Sequence, residues 1–228
     1  MKTLPCLFVC GIFLAACNDR RISSETPVTY GDTVFSPAES EKPCRDSLTA
    51  FYNQLSGNYN FRLFFYECPQ QNVERHYWKI IIEDKSGSVI DSVRHDAYVL
   101  YPSLEELSEY HSCSGEVNTV GEVIDGYYGV FAVCDFNFDD KEDFAILTDL
   151  GGNGGAAYSY FIQHPQNHFY RENYLSDTMV YFPDINRSRK TLTTKIHSGV
   201  CSFSESEFTL LNATNWKRTK SRLIDICR

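Results

Sequence analysis

The sequence predicts a mainly β domain: a single antiparallel sandwich, or a propeller-like set of sheets, with one or two short helices. Three observations predict it. Short aromatic and β-branched runs recur along the chain with Gly, Asn, Asp and Ser between them, the spacing of an all-β fold. Asp84-Lys85-Ser86-Gly87 separates two such runs and reads as a hairpin turn. Six cysteines lie between positions 44 and 227, an even set that argues for disulfides around a loop-rich fold.

Taken in order, strands are expected at 60–66, 77–82, 88–93, 129–134, 144–148, 157–163, 168–173, 191–196, 207–211 and 222–226, each dense in Val, Ile, Tyr, Phe or Thr. One short helix is expected over 104–110, with Ser103 as N-cap and Glu106 closing a capping box. A second is expected over 47–55. The acidic loop described below occurs once, which excludes a many-bladed repeat array.

The first residues address the chain to the envelope. Lys2 precedes an apolar run, 4–16, too short to span a bilayer but shaped like a signal peptide. It ends in Leu14-Ala15-Ala16-Cys17, which resembles the lipobox of bacterial lipoproteins. That resemblance implies cleavage of 1–16, acylation of Cys17 and attachment to a membrane surface. Asn18 after the Cys favours the outer membrane. Residues 17–43 are rich in Ser, Thr, Pro and Glu and poor in large apolar side chains, so they are expected to form a flexible tether. Residues 44–228 make one domain, long enough for a substantial core. The formal charge is −9; losing Lys2 with the leader makes it −10, which argues against nucleic acid as a partner.

Of the nine cysteines, Cys6 and Cys10 leave with the leader and Cys17 takes lipid. Cys44, Cys68, Cys113, Cys134, Cys201 and Cys227 remain, and six allow fifteen connectivities. Proximity along the chain suggests Cys44–Cys68, Cys113–Cys134 and Cys201–Cys227. A cysteine zinc site lacks the usual Cys-x-x-Cys pair.

The stretch 135–143 reads Asp-Phe-Asn-Phe-Asp-Asp-Lys-Glu-Asp. Asp135, Asn137, Asp139 and Asp143 put oxygens at positions 1, 3, 5 and 9, and Lys141 at position 7 offers its main-chain carbonyl. Calcium takes six to eight such oxygens. Asp140 and Ile146 stand where an EF-hand has Gly and Glu, and apolar strand-like runs flank the loop, so the pattern suits a shorter, integrin-like calcium loop. The competing reading is an acidic turn, but four acidic side chains beside Glu142 repel one another without a cation. A structural role for the Ca2+ is expected.

The loop continues through Phe144-Ala145-Ile146-Leu147, Gly151-Gly152-Asn153-Gly154-Gly155, Tyr158-Ser159-Tyr160-Phe161 and His168-Phe169-Tyr170. This order resembles a family of bacterial calcium-binding lipoproteins that act as immunity proteins against injected lysozyme-like effectors, with a fold similar to periplasmic lysozyme inhibitors. The resemblance is clearest over 130–175. It implies calcium ligation by Asp135, Asn137, Asp139 and Asp143, and a loop that enters a hydrolase cleft. Two loops are candidates: the turn 197–202, with Ser198, Gly199 and Ser202, and the Gly-rich turn with Gly152, Asn153 and Tyr158. The alternative function is a calcium-stabilised surface binding or adhesion module. An enzyme is not expected. There is no Gly-x-Ser-x-Gly elbow, and Pro165 between His164 and His168 breaks the helical face a zinc protease needs.

Overall fold

The computed structural model describes residues 44–68, 75–97, 103, 105–114, 126–152, 154–212 and 215–227. The expected signal peptide, the lipidated Cys17, the tether and Asn153 lie outside the described residues. The fold is mainly β, with thirteen strands in three sheets among the described residues. The first sheet is an antiparallel meander of β1 (Arg45–Tyr52), β2 (Tyr59–Cys68), β3 (Arg75–Asp84) and β4 (Val89–Ala97). The second runs β5 (Tyr110–Ser112), β6 (Phe131–Cys134), β7 (Asp143–Asp149), β8 (Ala157–Gln163) and β9 (Phe169–Arg171), with β5 parallel to β6 and the rest antiparallel. The third is a second meander: β10 (Asp184–Asn186), β11 (Thr191–Gly199), β12 (Ser202–Asn212) and β13 (Asn215–Asp225).

The first two sheets form a sandwich. Alternate side chains of β2 and β3, namely Phe61, Leu63, Phe65, Trp78, Ile80 and Ile82, are all but fully buried, as a two-residue period requires for one covered face. They meet Phe131, Phe144 and Phe161, whose rings form a continuous stack: Phe131 to Phe144 at 5.2 Å and Phe144 to Phe161 at 4.8 Å between centroids. Phe61 packs on both Phe131 and Phe144. The middle sheet is covered on its other face too. Tyr158 and Tyr160 are buried there, and Phe182 packs on Tyr158 and Phe136 on Tyr160. Hydrogen bonds also join the two sheets: Phe169 N donates to Asp91 Oδ2 at 2.7 Å, and Gln163 Nε2 to the Tyr59 hydroxyl at 2.6 Å.

Two helix expectations are corrected. Residues 47–55 are mostly strand. Leu48, Ala50 and Tyr52 pair with Phe65, Leu63 and Phe61 of β2, and the long partner strand overrides a weak helical pattern. Of the helix expected over 104–110, the described residues 105–110 form only a 3-10 turn, Glu106–Ser108, because Tyr110 is taken into β5. The capping box exists: Glu106 N donates to Ser103 Oγ at 3.1 Å and Ser103 N to Glu106 Oε2 at 2.7 Å. A five-residue π-helix, Leu175–Met179, is an addition to the expectation, as are the three-residue strands β5 and β10.

All three suggested disulfides form. Cys44–Cys68 closes the open end of β1 and β2, Cys113–Cys134 joins the ends of β5 and β6, and Cys201–Cys227 ties the β11–β12 turn to the tail of β13. Gly129 lets β5 and the approach to β6 touch. Its φ is +84°, and a Cβ there would stand 2.4 Å from the Glu109 carbonyl.

Candidate metal loop and partner-facing tip

The loop 135–143 lies between the end of β6 and the start of β7, so its first and last carboxylates are placed by paired strands: Cys134 pairs with Asp143 across the ladder. Asp135 is 4% exposed and Asp143 fully buried. The loop curls by side-chain to main-chain bonds. Asp135 accepts from Asp139 N at 3.1 Å and Asp140 N at 3.1 Å, Asn137 Oδ1 from Asp139 N at 3.2 Å, and Asp139 Oδ1 from Lys141 N at 3.0 Å. Phe138 and Asp140 take left-handed backbone, φ 61° and 63°, the second at the position where an EF-hand keeps Gly. Asp tolerates this conformation better than most residues. Asp143 holds the loop from inside, accepting from Phe136 N and Gln163 N at 2.9 Å each.

Burial pushes the Asp135 carboxyl above its ordinary range and Asp143 well above it, against the main-chain donors that favour their charged forms. Buried carboxylates are stable when paired or metal-bound. The cation beside them is Arg187, half exposed, whose Nη1 lies 3.5 Å from Asp135 Oδ2 and 3.5 Å from Asp140 Oδ1. The donor set of three carboxylates, one amide and a main-chain carbonyl at Lys141 fits a hard cation. The carboxylates stand apart: among the described residues the one trio of His, Cys, Asp or Glu ligand atoms within 4.8 Å of each other is His111, Cys113 and Cys134, and its two sulfurs are spent on the disulfide.

Glu142 has a role that sequence reasoning missed. Its carboxylate turns away from the loop and accepts from Ser114 Oγ at 2.8 Å, Asn58 Nδ2 at 2.9 Å and Gly57 N at 3.1 Å, and from Ser56 Oγ. Burial pushes its carboxyl up, but these bonds outweigh that and hold it below its usual range. With Arg187 from the β10–β11 turn and Phe138 against Trp216 of β13 at 6.2 Å, the loop touches all three sheets. Partners 28 or 86 residues away leave no local pattern to read.

The two candidate partner loops differ. At 197–202, Ser198 is exposed, Gly199 and Ser202 are half-buried, and Val200 is 95% exposed. The Cys201–Cys227 bond pins this turn, and Ile226 N donates to Cys201 O at 2.8 Å. The third sheet anchors at its root through Leu192, Phe208 and Trp216, whereas β13 from Lys217 to Asp225 is exposed apart from half-buried Ile224. β11 to β13 therefore form a finger with Val200, Leu223 and Ile226 exposed toward its end. In the Gly-rich turn, Gly152 is exposed, but Tyr158 is corrected. It is fully buried, its hydroxyl donating to Gly129 O at 2.9 Å and accepting from Tyr128 N at 2.8 Å. Strand alternation places it on the covered face of the middle sheet, with nothing to offer a partner.

No family model, no curated protein and no solved structure matches this chain.

Proposed function

We propose that this chain is a lipid-anchored protein of the bacterial cell envelope that inhibits a lysozyme-like peptidoglycan hydrolase, with Ca2+ bound at Asp135, Asn137, Asp139, Asp143 and the Lys141 carbonyl. The observation that carries the reading is the finger end. An apolar residue almost wholly in water, Val200, sits on a turn held by a disulfide and a main-chain bond. A pre-ordered protrusion loses little freedom on entering a cleft, which is how small inhibitors gain affinity. The resemblance over 130–175 supplies the target class. The calcium loop is structural: it holds the junction of the sheets from which the finger springs.

The test is a lysis assay with a lysozyme-like hydrolase encoded beside this chain. The expected result is one-to-one inhibition, weakened at least tenfold by Val200→Asp or Leu223→Asp with thermal stability unchanged. Absence of both inhibition and complex formation overturns the reading. Binding to glycans or host proteins without inhibition would favour an adhesion module instead.

A further inference from the structure

The open side of the sandwich, between β4 and β9, is built from the wrong residues for a core. Val93 and His95 are successive inward positions of β4, and Phe161 and Ser159 are successive positions on the facing side of β8. Val93 and Phe161 are buried as a sandwich demands. His95 and Ser159 are buried too, at 7% and 2% exposure, yet each is polar. The His95 ring packs edge-on against Phe161 at 5.7 Å, and its Nε2, shut off from solvent, has no hydrogen-bond partner. Buried polar groups are nearly always satisfied, and an orphan calls for a cause.

His95 is also one of the residues lining a cleft of about 730 Å³, with Arg94, Asp96, Ser159, Arg171 and Asp177, a size typical of small-molecule sites. Its charges are already matched. Arg171 grips Asp177 with two bonds, 2.6 Å and 3.1 Å, and also reaches Asn173 at 3.0 Å. Arg94 lies over the Tyr77 ring and 3.9 Å from Asp96. Burial, and then the charge of Arg171, keep the His95 imidazole neutral, with a pKa lowered to about 4. A neutral imidazole presents one donor and one acceptor, and hydroxyls of Thr148, Ser159 and Ser176 can each do both. Ser176 Oγ already accepts from Tyr160 N at 2.9 Å, which leaves its proton to donate.

We propose that this cleft binds an uncharged polyhydroxylated ligand, such as a sugar ring, with His95 and Ser159 at its floor and the Arg171–Asp177 pair at its rim. An anion would have to compete with Asp177 for Arg171 and with Asp96 for Arg94, so the balanced rim selects for neutral ligands. Hydroxyl groups, donor and acceptor at once, match donors and acceptors of the lining alike, and a turn of the His95 ring toward the cleft would let one of them reach the orphaned nitrogen. The proposal is independent of hydrolase inhibition.

The test uses the intact domain labelled with nitrogen-15 at histidine. The His95 imidazole resonances, assigned by loss in His95→Gln, are followed while maltose or chitobiose is titrated, with acetate and sulfate in parallel. The expected result is a saturable shift of His95 with a neutral disaccharide and not with the anions. Saturation-transfer signals from the same sugar should fall about tenfold in Ser159→Ala, a change of one buried hydroxyl whose fold is checked by an unchanged thermal midpoint. His95 resonances unmoved by either sugar, or moved by the anions alone, overturn the proposal.

Discussion

His95 carries an uncharged imidazole into the sandwich, and this sets a pH dependence. Its folded pKa is lowered to about 4 from an ordinary 6.5, so below pH 6.5 the unfolded chain takes up a proton that the folded chain refuses. Its contribution is fully present above about 6.5 and is lost as pH falls through about 4, amounting to about 3 kcal/mol over that window. Glu142 has the same sign lower down. Its folded carboxyl sits below the ordinary value, so its contribution is present above about pH 4.3 and disappears on further acidification. Urea midpoints measured from pH 7 to pH 4 should fall more steeply in the wild type than in His95→Gln, because the contributions of half-buried His111 and of the raised Asp135 and Asp143 carboxyls are common to both. The same pH dependence in wild type and His95→Gln refutes this account. Glu142→Ala at pH 7 should cost about 2 kcal/mol, the scale of leaving several donors without their charged acceptor.

Among the elements, the finger and the sandwich should separate in stability. The sandwich rests on stacked rings and two covered faces, whereas the far half of β11 to β13 has main-chain ladders, the Cys201–Cys227 bond and charge pairs such as Lys220 with Glu207 at 2.9 Å and Arg222 with Glu205 at 2.7 Å. Exposed pairs of this kind contribute little. Replacing Cys201 and Cys227 together by Ser should accelerate amide hydrogen exchange at 198–204 and 222–226 while β7 and β8 keep their protection, and inhibition should weaken. Equal loss of protection in β7 would mean that the two parts open as one. The meander β2 to β4 was legible in the sequence because aromatic and β-branched runs flank a turn in which Asp84 Oδ1 binds Ser86 N and Ser88 N. The disulfides were legible from spacing along the chain. β1 was not, since its alternation of Leu48, Ala50 and Tyr52 has meaning only beside β2. β5 and β10, three residues each, are too short for any period to emerge. Of the candidate site, the curl of the acidic loop follows from its own Asp and Asn spacing, whereas the outward turn of Glu142, the approach of Arg187 and the burial of Tyr158 depend on contacts from distant segments.

At the level of the whole molecule, three sheets share one junction at the acidic loop: Glu142 holds the β1–β2 connection, Arg187 the β10–β11 turn and Phe138 the base of β13. A cation that binds the folded loop stabilises the entire domain by mass action, about 2.7 kcal/mol at one hundred times its dissociation constant. For a chain of this length that raises Tm by roughly 5–10 °C. The midpoint should therefore rise from EDTA to millimolar CaCl2, and Asp139→Ala should abolish the difference. An identical midpoint in both buffers removes calcium from the account.

The finger end also bears on how such a protein can change over generations. Ser198, Val200, Leu223 and Ile226 stand outside the packed interior, so substitutions there cost little stability. The finger end is thus free to drift in sequence, while the strands and the acidic junction beneath it stay as they are.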